Sequence, residues 1–252
     1  MKTFKYLILI TIFAVACGGS QQKATDEKVE EITDNTLTQS EIDDGWILLF
    51  DGKEAGKWRG YNKDYFPNGW EISDGMIRCI GSGRGEAGGL EGGDIIYDEK
   101  FQNFELILEW KISPGGNSGI FYLAQESPDL TIWQTAPEMQ VLDNTTHPDG
   151  REGLHSAGAL YDMIGVEQDK VKPVGEWNQV KILVFKGLVE HWLNGEKVVS
   201  YHLWTTEWYE MVANSKFPKY NPNWAEVAQE GYIGLQDHGD DVWYKNIKLK
   251  KL

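Results

Sequence analysis

Cysteine is nearly absent from this sequence: of 252 residues, only Cys17 and Cys79 carry a thiol. With Cys17 assigned to a leader, as below, Cys79 has no partner, so an apolar core rather than an internal disulfide must brace the fold. Basic residues are short as well, 24 Lys and Arg against 39 Asp and Glu, for a net charge of −15. Such a balance argues against nucleic acid or an anionic lipid surface as partner, since both select basic patches, and leaves a neutral ligand open. Long apolar runs are also missing. The exception, Tyr6 to Ala16 behind Lys2 and Lys5, is far too short to cross a bilayer as a helix and reads as a secretory signal.

That run ends in "AVAC" followed by two glycines. The pattern resembles the bacterial lipobox, with Ala14 where leucine is most usual, and implies a Cys17 that is cleaved at its amino side and lipidated; the alternative is ordinary cleavage near Ala16. Residues 1–17 are then a lipoprotein signal peptide. Residues 18–44 contain few large apolar side chains and no clear periodicity, so they are expected to be a flexible tether. The chain is expected to be exported and to meet the membrane only through its lipid, on the periplasmic side or at the cell surface. Residues 45–252 are long enough for one sizeable core.

From Trp46 onward the pattern is β, in short alternating runs separated by Gly, Asn and Asp. "FELILEWKI" places Phe104, Leu106, Leu108, Trp110 and Ile112 on one face and Glu105, Ile107, Glu109 and Lys111 on the other. "QVKILVFKGLVEHWLNGEKVVSY" holds three such runs, turning at Lys186-Gly187 and at Asn194-Gly195. Asn-Gly is a strong hairpin signal because both residues tolerate positive φ. Further strands are predicted in "GWEISDGMIRCI", "SGIFYLA", "EMQVLD", "GYIGLQDH" and "VWYKNIKLKKL", which together predict an all-β fold of two antiparallel sheets packed face to face. One segment breaks the pattern: "WTTEWYEMVANSKF" predicts a short inserted helix with Thr206 as its cap and Trp208, Met211 and Val212 on one side.

Six segments in order, "GWILLFDGK", "GGNSGIFYL", "PEMQVLDN", "HSAGALYDM", "GEWNQVKILVFKGLVEHWLNGEKV" and "GYIGLQDHGDDVWYKNIKLKKL", resemble the 3-keto-disaccharide hydrolase family from about Gly45 to Leu252. The resemblance implies the jelly-roll sandwich of concanavalin-like lectins and glucanases, and an enzyme acting on small carbohydrates oxidised to a ketone at carbon 3. Fold alone does not fix the reaction.

The concave sheet of such a sandwich is where sugars are expected. Glu138 and Gln140, two apart on a strand, share a face and are expected to enter one pocket. Gln236 and His238 should share a face in the same way. His155, at the head of "HSAGALYDM", is a candidate through the resemblance. Asn117 lies in a Gly-rich turn and offers an amide to a sugar hydroxyl or keto oxygen. Trp133 offers a ring to a sugar face, whereas Trp58, Trp70, Trp110 and Trp243 read as core. Of the strand neighbours Glu190 and His191, at most one can face the pocket. Asp237, Asp240 and Asp241 crowd a turn, as hydrogen-bond acceptors or, alternatively, as ligands of a divalent cation; the histidines with Glu138 offer a further alternative, a transition-metal site, without tight ligand spacing.

A ketone at C3 acidifies the C2 proton, so the implied chemistry is proton abstraction at C2, elimination of the C1 substituent and hydration. The expected proton-transfer pair is Glu138 and His155, with His238, Gln140 or Asn117 at the oxyanion. Two readings compete. A conventional glycosidase needs paired carboxylates, and "EMQVLDN" carries Gln140 where an acid would be wanted. A non-catalytic sugar-binding lipoprotein needs the aromatic and amide groups alone.

Overall fold

The computed structural model describes residues 33–83, 92–167 and 170–252, so the signal peptide, Cys17 and the tether as far as residue 32 lie outside the described residues. Chain order is α1 (Gln39–Asp43), β1 (Trp46–Leu48), β2 (Trp58–Gly60), β3 (Trp70–Ser73), β4 (Met76–Cys79), β5 (Ile95–Tyr97), β6 (Phe104–Ile112), β7 (Asn117–Ala124) and β8 (Glu138–Leu142). It continues with β9 (Asn178–Phe185), β10 (Leu188–Leu193), β11 (Glu196–His202), α2 (Thr206–Ala213), β12 (Tyr232–Leu235) and β13 (Val242–Lys251). Among the described residues these strands form an eight-stranded sheet in the order β11-β10-β9-β6-β13-β4-β3, with β1 also on β13, and a five-stranded sheet in the order β2-β5-β12-β7-β8. All recorded pairings are antiparallel, and the fold is the two-sheet jelly roll that the sequence predicts.

Local chemistry accounts for the framework. Alternation holds along the whole of β6, where Phe104, Leu106, Leu108, Trp110 and Ile112 are buried and the intervening residues are not. The β9–β10 and β10–β11 turns place Lys186 (φ 49°) with Gly187 (90°), and Asn194 (51°) with Gly195 (87°), in the left-handed region that such tight hairpins demand. Trp58, Trp70 and Trp110 are core residues, but Trp243 is not: it lies half-buried on the outer face, with the Arg78 guanidinium 5.3 Å and the Lys111 ammonium 4.8 Å from its ring. The inserted helix is α2, capped by Thr205 rather than Thr206, since it is the Thr205 hydroxyl that accepts from the Trp208 amide. Trp208 and Val212 are its buried face.

The expected start of the fold near Gly45 is ten residues late. Asn35 is buried, and it and Asn246 exchange backbone-to-side-chain hydrogen bonds of 2.7 and 2.9 Å while the Asn35 amide donates to Gly75 O. Both asparagines have positive φ, and Asn246 sits where β13 bulges out of register with β6. The strand therefore offers unpaired backbone groups, and Asn35 fills them. Three acids flanking it pair with the β13 lysines: Asp34 with Lys245, Glu41 with Lys248 and Asp44 with Lys250. Thr38 and Glu41 form a reciprocal cap at the start of α1.

A second polar chain crosses between the sheets. His191 on β10 is fully buried, and burial lowers its pKa to about 4 against the opposing hydrogen bond to Gly158, so the ring is neutral. Its Nδ1–H donates to Gly158 O at 3.0 Å, which leaves Nε2 to accept from the Tyr122 hydroxyl at 2.7 Å. Tyr122 on β7 in turn accepts from the Tyr201 hydroxyl on β11 at 2.7 Å.

A chain begun at Gly45 is expected to unfold at lower urea than one begun at residue 33, by about 2 to 4 kcal/mol, because Asn246 and Gly75 lose partners; equal midpoints would remove the anchoring role of Asn35. For His191, the unfolded imidazole takes up a proton below its ordinary pKa of 6.5 and the folded one only below about 4. Its contribution is thus full above 6.5 and is lost as pH falls toward 4, by on the order of 3 kcal/mol. Urea midpoints from pH 7 to 4.5 are expected to fall more steeply for the native chain than for His191→Gln.

Candidate active site

The site grows from β7 and β8. Ser118 pairs with Val141 and Gly119 with Gln140, so Ser118, Ile120, Met139 and Val141 point between the sheets while Asn117, Glu138 and Gln140 point away. β8 is the last strand of its sheet, yet its edge is not open: Gln140 N donates to Ala159 O, Gly158 N to Gln140 O and Tyr161 N to Glu138 O. That covering segment lifts Tyr161 beside the outward face. The chain after β12 adds Gln236 and His238, and the segment after α2 adds Lys216 and Phe217.

Asn117, Glu138, Gln140, Gln236, His238 and Trp133 all line one cleft, together with Tyr161, Lys216 and Phe217, of about 290 Å³ including its open mouth. All six were expected at the site. The strand "PEMQVLDN" keeps an acid and an amide on its outward face because that face is a cleft floor rather than bulk solvent. Glu138 is 6% exposed and Gln140 1%. The Gln140 carboxamide satisfies both its ends when its nitrogen faces Glu138 Oε1 at 3.1 Å and Ser118 O at 2.9 Å. Gly119 makes room for this: a Cβ there would stand 2.7 Å from the Glu138 carboxyl carbon. The Gln236 side-chain oxygen is buried and has no hydrogen-bond partner, and neither has the Trp133 indole N–H. Unmet acceptor and donor groups of this kind suit a ligand rich in hydroxyls.

Tyr161, Lys216 and Phe217 were not foreseen. Burial, reinforced by the charges of Asp149 and Glu138, pushes the Tyr161 phenol up, so it remains an O–H donor, 3.4 Å from Asp149 Oδ2. The Lys216 ammonium lies 4.4 Å from the Tyr161 ring centre and 5.4 Å from that of Trp133, the one cation of the cleft lining. No local motif announces a lysine that arrives from a helical insertion, although Tyr161 stands within "HSAGALYDM".

Two expected residues lie elsewhere. His155 does not line the cleft; its ring stacks on Tyr161 at 4.5 Å and 13°, and its Nε2 is 3.1 Å from Asp162 Oδ1. Its Nδ1 is 3.3 Å from Glu152 but at an angle that makes no hydrogen bond. Glu190 belongs to the other sheet, facing away from the core, and accepts from the Trp192 indole and Lys197. Its neighbour His191 is sealed between the sheets, so neither residue enters the cleft. The turn aspartates act as acceptors: Asp237 for Gly93 N and Gly239 N, Asp240 for Asn117 N, and Asp241 for Arg78. Among the described residues no three His, Cys, Asp or Glu side chains converge as a metal cage.

The family model of the 3-keto-alpha-glucoside-1,2-lyase-like domain matches residues 45–250. The chain belongs to this 3-keto-disaccharide hydrolase family. It is 45% identical over 263 residues to the 3-keto-disaccharide hydrolase of Bacteroides thetaiotaomicron, covering 93% of this chain and 91% of that protein. Two crystal structures from Parabacteroides distasonis, both provisionally assigned as glycosyl hydrolases, superpose on it. One has a TM-score of 0.77 at 33% identity, covering 87% of this chain and 100% of that one. The other has a TM-score of 0.64 at 29% identity, covering 82% and 99%. Membership makes the chain a glycoside hydrolase with a sugar substrate, and the Glu138 cleft is the candidate active site of this family member.

Gly119→Ala tests that assignment. The three nearest atoms that an added methyl meets all belong to the Glu138 side chain and not to backbone. The variant is therefore expected to keep its circular dichroism spectrum while its hydrolase activity falls by about 100-fold, the scale of a misplaced catalytic group. Undiminished activity would show that the position of Glu138 does not matter.

Proposed function

We propose that the enzyme cleaves 3-keto-glycosides by removing the C2 proton, eliminating the C1 substituent and hydrating the resulting enone. The observation that carries this reading is the make-up of the cleft lining: one carboxylate, Glu138, among three carboxamides, one imidazole and one ammonium. Direct hydrolysis of an ordinary glycoside calls for two carboxylates, roughly 5 to 5.5 or 6.5 to 9.5 Å apart. The second is missing from this lining. Elimination from a ketoside needs one base, a cation or donor at the keto oxygen and an acid at the leaving oxygen, and the cleft supplies each.

In this scheme Glu138 takes the proton from C2. The negative charge that develops at the C3 oxygen is met by the Lys216 ammonium and by the amide of Asn117 or Gln140. As the C1–O bond breaks and the C1–C2 double bond forms, His238 gives its proton to the departing oxygen. Water then adds its oxygen to C1, returning a proton to His238, while Glu138, whose carboxyl proton has exchanged with solvent once the leaving group departs, protonates C2. Both side chains end as they began, and the net change is hydrolysis. His238 thus takes the role first expected of His155, because His238 lines the cleft and His155 does not. Trp133, Tyr161 and Phe217 form an apolar wall for the C–H face of the ring, and Gln236 accepts from a sugar hydroxyl. The exported setting and the lipid at Cys17 belong to the same proposal, supported by Lys2, Lys5 and the apolar run that ends at that cysteine.

Turnover of a 3-keto-glucoside in heavy water is the test. Early in the reaction, and above a control without enzyme, the released 3-keto sugar is expected to carry deuterium at C2, and Glu138→Gln is expected to lower kcat by about 10²- to 10⁴-fold. Cleavage that leaves C2 unlabelled, or equal cleavage of the unoxidised glycoside, would point to direct displacement instead.

A further inference from the structure

Asp162 is joined to two other segments by three contacts. Its Oδ1 lies 3.1 Å from His155 Nε2, its Oδ2 accepts the Lys216 backbone N–H at 2.8 Å, and its own N–H donates to Leu154 O at 3.1 Å. It holds a left-handed backbone (φ 62°) in the tight turn between Leu160 and Ile164, a conformation that Asp tolerates better than most residues. Both partners pack on Tyr161. The His155 ring stacks on Tyr161 at 4.5 Å, and the Lys216 ammonium sits 4.4 Å from the same ring centre. One carboxylate therefore contacts both groups that pack on the Tyr161 ring, His155 through its imidazole and Lys216 through its backbone, and of the three Tyr161 and Lys216 line the cleft.

We infer that Asp162 is a positioning residue that acts through Lys216, with His155 as its counterweight behind Tyr161. By gripping the backbone of Lys216 where the chain leaves α2, it sets the point from which the lysine stem reaches over Tyr161 and Trp133. Asp162 does not itself line the cleft. The role rests on the proposed function only in that Lys216 there meets the charge at the keto oxygen. The placement of the ammonium is a separate matter that can be read without any substrate.

Two measurements test the inference. In the first, surface lysines are converted to [¹³C]dimethyl-lysine, which keeps the charge, and the Lys216 signal is assigned by its loss in Lys216→Met. That signal is expected upfield of the exposed lysines in the native chain, through the Tyr161 and Trp133 rings. It is expected to move to the exposed position in Asp162→Ala, and part of the way in Asp162→Asn, which keeps one acceptor oxygen and guards against misfolding of the alanine variant. A signal that stays in place in both variants would overturn the inference, whatever the substrate proves to be. The second measurement is turnover of a 3-keto-glycoside. Asp162→Ala is expected to lower kcat by about 10- to 100-fold with KM within about twofold. Combined with Lys216→Met it is expected to lower kcat no further than Lys216→Met alone. Losses that multiply would mark Asp162 as a purely structural residue. Failure of the native chain to turn over any 3-keto-glycoside would remove the functional reading, leaving the spectroscopic result to decide the role of Asp162.

Discussion

The pairing of β7 with β8 is the constraint from which the site follows. Gly119 opposite Gln140 fixes which side chains face the second sheet and which face the cleft; a slip of one residue would send Glu138 into the apolar interior and Met139 into the cleft. The register is held from both sides. Inward, Ile120, Met139 and Val141 are buried in the core. Outward, the Glu138 carboxylate folds over Gly119, where any side chain would collide with it. A buried acid with so little space around it has few rotamers left, which is the preorganisation a proton-transferring group needs.

The floor of the cleft is also tied to the opposite sheet through hydroxyl chains. Ser118 donates to Gln236 O and accepts from the Tyr244 hydroxyl on β13, both at 2.7 Å. The chain Tyr201–Tyr122–His191–Gly158 makes a second crossing and ends on the segment that covers the edge of β8. Every donor in these chains has an acceptor, so the polar groups stiffen the core instead of straining it. The consequence is directional: Asn117 and Gln236 on the outer side are held by residues whose other ends reach through the sandwich.

Charge is distributed with the same economy. An acidic chain keeps its cleft cation on a segment after α2 and packs it against rings. Phe217 beside it is stacked on Trp224 at 4.1 Å, and Trp224 on Trp208 of α2 at 5.7 Å, so the insertion carries an aromatic column that anchors the lysine to the body of the fold. On the far face the lysines of β13 are matched by Asp34, Glu41 and Asp44, which draws the chain before β1 onto the sheet.

By itself the sequence determined the sheets, their hairpins and the outward face of β8, because alternation and turn chemistry act between residues a few positions apart. It also brought Glu138, Gln140, Asn117, Gln236, His238 and Trp133 to one site, since the family motifs and strand parity pointed the same way. The short strands β2 and β5 lacked enough residues to show a period. The "TQSE" cap at Thr38 was present in the sequence but sat in a stretch with few large apolar side chains and no clear periodicity. Only the tertiary structure decided that His155 stands behind a tyrosine ring, that Glu190 faces away on the other sheet, that Asn35 plugs a bulge in β13, and that Lys216 enters the cleft. Depth behind a ring and the meeting of residues distant in the chain depend on how the layers pack, and no local pattern of residue types encodes them.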